Sequence, residues 1–162
     1  MTLNSTVEHP PLLKPGFYIF SLPDMRRLCV DPFPNSATRD RVMLGIEYIV
    51  GEVQNASIPC EIWIDGSFLT EKENPNDADI LLKIDAYVIE NGTEEQKRIL
   101  NWIRSNLRND HHCDSFILPI YGENDPLAVH NIYFTSYWVR QFGFSRGEHL
   151  KGIAVIRTGE NS

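Results

Sequence analysis

Apolar residues recur at helical spacing along the stretch that starts at Ser36 or Thr38 and runs to about Asn55, where Val42, Ile46, Ile49, Val50 and Val53 fall on one face. That pattern predicts an amphipathic helix. A β-rich run, 61–65, follows and stops at Gly66-Ser67, which predicts a strand ending in a tight turn. After the polar stretch 68–76, residues 78–84 have the apolar density of a buried strand. Thr93-Glu-Glu-Gln96 matches a capping box, and Ile99, Trp102, Ile103 and Leu107 follow at helical spacing, so a second helix is expected from Thr93 to about Asn109. Residues 113–121 predict a third strand, with Pro119 confining its far end to a sheet edge or a bulge. A helix over 131–142 and a last strand over 151–157 complete the series.

The first 35 residues follow a different pattern. Six prolines between Glu8 and Asn35 mark an irregular arm. Within it a short helix is expected over 24–30, because Pro23 and Asp24 suit a helix start and Met25, Leu28 and Cys29 share a face. No repeat and no linker interrupts the chain, so one domain over 1–162 is expected. The mixture of strands and helices points to an α+β fold, a mixed β-sheet flanked by helices.

Composition narrows the class without choosing a function. A hydrophobic share of 42% and a charged share of 23% are those of an ordinary globular protein. A chain of 162 residues buries about 70% of its unfolded surface, enough for a proper core. The net charge of −7 argues against an extended duplex nucleic acid as partner, which needs clustered Lys and Arg, and leaves room only for a local basic groove. Three widely spaced cysteines, Cys29, Cys60 and Cys113, read as reduced thiols. Residues 1–15 offer no signal-peptide core, and no apolar run approaches the roughly 20 residues of a membrane span. A cytoplasmic location with no membrane partner is therefore the expectation.

The chemistry concentrates around Asp77-x-Asp79. Residues two apart on a strand share a face, so both carboxylates can converge on one cation while Ala78 points away. Two adjacent carboxylates repel, and a hard divalent metal with oxygen ligands relieves the repulsion. A two-metal site needs a further carboxylate, for which Asp114 at the start of the next strand is best placed and Asp85 is the alternative. Gly66 permits close backbone approach, and the Ser67 hydroxyl with free backbone N–H groups can hold phosphate oxygens.

Other features carry blander readings. Asn74-Pro-Asn-Asp77 could be a solvated turn and Gly66-Ser67 an ordinary strand end. Asp65 is expected to turn away from the site and to serve the turn. His111-His112-Cys113 alternates in direction along an extended chain, which disfavours zinc. Lys72, Lys83, Arg140, Arg146 and Lys151 are the candidate phosphate-binding cations. The aromatic tail, Tyr133, Phe134, Tyr137, Trp138, Phe142 and Phe144, fits packing against the sheet better than stacking on a base.

The order Gly66-Ser67, nine residues, Asp77-x-Asp79 and a later strand carboxylate resembles the signature of the nucleotidyltransferase superfamily, with its DNA polymerase β-like fold, and in particular the minimal bacterial nucleotidyltransferases. The resemblance covers 62–116. Tyr137-Trp138, Gln141-Phe-Gly-Phe144 and Lys151-Gly-Ile153 also resemble a small bacterial group of nucleotidyltransferase-like proteins, of the kind found in toxin–antitoxin and phage-defence systems. The resemblance implies that Gly66 and Ser67 contact the triphosphate of an NTP such as ATP. Asp77, Asp79 and Asp114 would bind Mg²⁺ or Mn²⁺, and a nucleoside monophosphate would pass to a protein or nucleotide acceptor. The 162 residues are expected to lack the separate helical domain by which larger relatives hold an acceptor. A protein partner, toxin or effector, is implied too, and so is an alternative: a non-catalytic antitoxin or regulatory subunit on the same fold.

Overall fold

The computed structural model describes residues 8–159. The first seven residues of the expected arm and the last three of the chain lie outside the described residues. Five strands form one mixed sheet in the order β1-β5-β2-β3-β4: β1 (Gly16–Ile19), β2 (Cys60–Asp65), β3 (Ala78–Asp85), β4 (Cys113–Ile120) and β5 (Gly152–Thr158). β2 runs antiparallel to both β3 and β5, whereas β1 is parallel to β5 and β4 parallel to β3. The architecture is α+β, with the sheet flanked by helices. β4 lies at an edge, where Pro119 removes no N–H that a further strand would need.

Among the described residues, six α-helices connect the strands: α1 (Leu22–Cys29), α2 (Arg39–Asn55), α3 (Ala86–Asn91), α4 (Glu94–Arg104), α5 (Arg108–His111) and α6 (Asn131–Gly143). No helix among the described residues is long and apolar enough to cross a membrane. The expected stripe of α2 is buried from Val42 to Val53. Thr93 and Gln96 form the expected capping box at the start of α4.

Side chains two apart on each strand divide the core in two. Ile62, Ile64, Ile80, Leu82, Ala154 and Ile156 pack with α1, α2 and α4 into the larger cluster. Trp63, Leu81, Leu118, Ile153 and Val155 face the other way, where Phe142 and Trp138 of α6 cover them.

Three elements differ from the expectation. The arm is not irregular throughout: Gly16–Ile19 pairs with Gly152–Val155 as an edge strand, and α1 begins two residues early because Ser21 caps it, accepting from the Asp24 N–H while Asp24 accepts from the Ser21 N–H. The helix that starts at Thr93 stops at Arg104. Asn106 adopts a left-handed conformation (φ 63°), and Leu107 is pulled into the core, its N–H donating to Ser115 Oγ at 3.1 Å. The chain then restarts as the single turn α5. α3 follows β3 directly, with Asp85 as its cap, too short to show a period.

Candidate active site

The strand register builds the site. Asp65 at the end of β2 pairs with Asp79 on β3, and Asp79 pairs with Asp114 on β4, so three aspartates form one row across three adjacent strands on the α6 side of the sheet. Asp77, just before β3, joins them. Carboxylate oxygens of Asp77, Asp79 and Asp114 all lie within 4.8 Å of one another. Burial holds the Asp79 carboxyl up at about 6, and the negative charges of Asp114 and Asp77 add to the rise, while Lys151 and Arg108 oppose it.

Gly66 sets the turn that meets this row. Its φ of 88° suits glycine, and a Cβ there would stand 3.0 Å from Asp79 Oδ2 and 3.2 Å from the Asp79 backbone nitrogen. The absence of a side chain lets the turn lie directly against the carboxylate. Ser67 opens the 3-10 turn Ser67–Leu69 and lines the same cleft. All five residues singled out by the sequence, Gly66, Ser67, Asp77, Asp79 and Asp114, therefore line one cleft of about 840 Å³, a size suited to a small-molecule ligand.

Asp65 does not turn away as expected. Its pairing with Asp79 puts both side chains on one face, and it is fully buried. Asp65 Oδ1 accepts from Lys151 Nζ and from the Gly66 N–H, both at 2.9 Å, while Oδ2 has no partner among the described residues. Burial outweighs the attraction of Lys151 and pushes the Asp65 carboxyl up to about 7. It braces the turn and holds the Lys151 ammonium at the cleft wall.

The cleft has an acidic floor and basic walls. Lys72, Arg140, Arg146 and Lys151, all candidates from sequence, line it, whereas Lys83 lies elsewhere, 3.7 Å from Glu61. Arg108, which carries no signal in the sequence, pairs with the Asp77 and Asp114 carboxylates. Its Nε lies 3.0 Å from Asp77 Oδ2 and its Nη1 4.0 Å from Asp114 Oδ2, and the Asn106 amide donates to Asp114 Oδ1 at 3.2 Å. α5 reaches this position because α2 passes close beneath it: a Cβ on Gly45 would overlap the His111 carbonyl oxygen at 1.9 Å. The His111 ring stacks on Tyr48 at 4.8 Å.

A second arginine organises the loop from outside the cleft. Arg39 is fully buried; it donates to the carbonyls of Cys29 (2.9 Å), Phe68 (2.8 Å) and Lys72 (2.6 Å) and also to that of Thr70, with its guanidinium 3.7 Å from the centre of the Phe33 ring. It thereby fixes the path of the chain from Phe68 to Lys72. The arm completes the wall, since Leu12 donates to the Leu69 carbonyl and Glu71 to that of Pro10, each at 2.8 Å.

The donors fit a hard cation. Three carboxylates with only oxygen ligands, spaced so that one ion with bonds of roughly 2.0–2.6 Å can reach across them, suit Mg²⁺ or Mn²⁺ and not a thiophilic metal. No curated protein and no solved structure matched the chain. A family model matches residues 5–157, and the chain therefore belongs to DUF6932, a family of unknown function.

Proposed function

We propose that the protein has a nucleotidyltransferase fold and is a metal-dependent nucleotidyltransferase that moves a nucleoside monophosphate from an NTP to an acceptor and releases pyrophosphate. The observation that carries this reading is the meeting of the Gly66-Ser67 turn with the Asp77, Asp79 and Asp114 carboxylates in one cleft whose walls are basic. An acidic floor beside cationic walls suits a metal-bound triphosphate better than either a free cation or a bare anion.

Asp77, Asp79 and Asp114 would hold Mg²⁺ or Mn²⁺, and the bound cation would supply Lewis acidity to the transferred phosphoryl group and acidify the acceptor hydroxyl. The residues of the chain do the positioning. Gly66 allows the backbone to approach the phosphates, Ser67 donates its hydroxyl, and Lys151, anchored by Asp65, meets the charge of the departing pyrophosphate. The acceptor is a protein side chain or a nucleotide end, and a toxin or effector in a bacterial defence system is the protein partner that fits the resemblance.

The test is to follow label from the α-phosphate and the γ-phosphate of each NTP and dNTP separately, with Mg²⁺ or Mn²⁺ and with and without cell extract. Nucleotidyl transfer moves the α label to product and releases the γ label in pyrophosphate. Transfer of the γ label alone would replace this reading with a kinase-type reaction.

One observation favours a second reading, a non-catalytic antitoxin or regulatory subunit. Arg108 already neutralises part of the carboxylate cluster, which a binding module without metal would need. In that case partner binding survives replacement of Asp77 and Asp79 by alanine.

A further inference from the structure

The loop 145–149, between α6 and β5, forms part of the cleft wall and already holds an anion of the chain itself. The Gly147 N–H donates to the carboxylate of Glu8, which also lines the cleft. The loop is closed on itself: Phe144 bridges Leu150, the Ser145 N–H donates to the His149 carbonyl at 2.8 Å, and the Glu148 N–H donates to the Ser145 carbonyl at 2.9 Å. A Cβ on Gly147 would stand 2.6 Å from Glu8 Oε2, so the missing side chain leaves room for an oxygen there. Exposed as it is, the Glu8 carboxyl is held below the ordinary carboxylate range, first by the Gly147 N–H and then by the Ser145 hydroxyl, His149 and Lys151.

One carboxylate does not use all that this loop offers. Arg146 lines the cleft and forms no ion pair among the described residues, and Glu148, the acidic residue of the loop, is engaged by Arg140 at 2.7 Å. Arg146, His149 and Lys151 therefore surround a single negative charge. A phosphate group, with about two charges and three acceptor oxygens, matches these donors better than a carboxylate does. Lys151 joins the loop to the floor of the cleft, since its ammonium lies 2.9 Å from Asp65 Oδ1 and its charge acts on Asp79 as well as on Glu8.

We propose that the loop 145–149 is a phosphate subsite of the cleft and that Glu8 is its resident occupant, which an incoming phosphate displaces. The arm is anchored from Pro10 onward, by the Glu71 N–H on the Pro10 carbonyl and the bridge from Pro11 to Thr70, so among the described residues only Glu8 and His9 have to move. Naming the occupant as the terminal phosphate of an NTP rests on the nucleotidyl-transfer reading, whereas the subsite itself does not.

The test titrates inorganic tripolyphosphate, without divalent metal, into the isotope-labelled full chain and follows it by calorimetry and by the backbone amide resonances. The wild type binds it saturably, and the Gly147 amide shifts as it does. Glu8→Ala tightens binding roughly tenfold, as follows if Glu8 holds the loop about nine-tenths of the time. Arg146→Ala with His149→Ala weakens it roughly tenfold, with an unchanged far-ultraviolet circular dichroism spectrum. Binding that is unchanged or weaker in Glu8→Ala overturns the displacement. A Gly147 amide that stays in place overturns the subsite, as does a preference for tri-glutamate over tripolyphosphate. Nucleotidyl transfer by a chain whose loop ignores tripolyphosphate overturns the subsite and keeps the transfer reading; a working subsite without transfer does the reverse.

Discussion

One face of the sheet carries Ile62, Ile64, Ile80, Leu82 and Ile156 beneath α1, α2 and α4, while the other carries Trp63, Leu81, Leu118, Ile153 and Val155 beneath part of α6. The same strands supply both faces, residue by residue in alternation. On the deeply covered face the apolar series is interrupted by Ser115, which donates to the Ile103 carbonyl and accepts from the Leu107 N–H, and by Thr158, which donates to the Ile58 carbonyl. On the thinly covered face the series gives way, at the end where α6 stops, to Asp65, Asp79 and Asp114. Stability and chemistry are thus separated by the two-residue repeat of the strand and not by distance along the chain.

That separation can be broken from either side. The largest effect is expected on the acidic row. Asp77→Ala and Asp79→Ala each reduce nucleotidyl transfer to background while thermal unfolding shifts little or upward, because a repelling charge has been removed. A loss of folding in these variants would mean that the row is part of the core after all. The next effect belongs to the covered face: Ile64→Ala costs about 4 kcal/mol in urea unfolding and Ile153→Ala about 2 kcal/mol, the upper part and the lower end of the usual range for such truncations. Equal costs would erase the contrast in packing depth.

Arg39 links the two faces. Arg39→Met leaves the carbonyls of Phe68, Thr70 and Lys72 without their donor, so it costs about 2–3 kcal/mol and, more specifically, weakens nucleotide binding at a cleft it does not touch. Stability lost with binding intact would limit Arg39 to the fold.

The smallest effects lie within the site. Asp79 holds its proton up to about pH 6, against an ordinary value of 3.8. Between those values the folded protein binds more protons than the unfolded one, so the metal-free protein loses stability as pH rises through the window. In the same window protons compete with cations at Asp79, so affinity for Mn²⁺ falls as pH is lowered through 6. Arg108→Ala removes the cation beside Asp77 and Asp114 and tightens Mn²⁺ binding by roughly fivefold, the scale of an exposed ion pair. Weaker binding in that variant would make Arg108 a support of the site and not a competitor.

Much of this arrangement was legible in the sequence because it is local. The stripe of α2, the capping box of α4 and the apolar run of β3 are each written within a few turns or a single strand, and Gly66, Ser67, Asp77 and Asp79 fall at the ends of two consecutive strands. What was not legible depends on pairing across the chain. β1 is too short, and too close to Pro15, to show a pattern before β5 pairs with it. Asp65 joins the row only through the register of β2 on β3. Arg108 and Arg39 look like ordinary surface charges until α5 is bracketed by left-handed Asn106 and His112, and until four distant carbonyls converge on one guanidinium. Exposed Ile132, Tyr133 and Tyr137 of α6 look like core positions in sequence, because periodicity does not say which side of a helix is covered.

The central claim, that the thin face of the sheet is a metal centre, is tested most directly by titrating Mn²⁺ into the purified protein and counting free ions by electron paramagnetic resonance, beside an Asp77→Asn/Asp79→Asn variant of unchanged fold. The account predicts saturable binding to the wild type that Mg²⁺ displaces and the variant lacks. Binding that never saturates, or that persists undiminished in the variant, would contradict it.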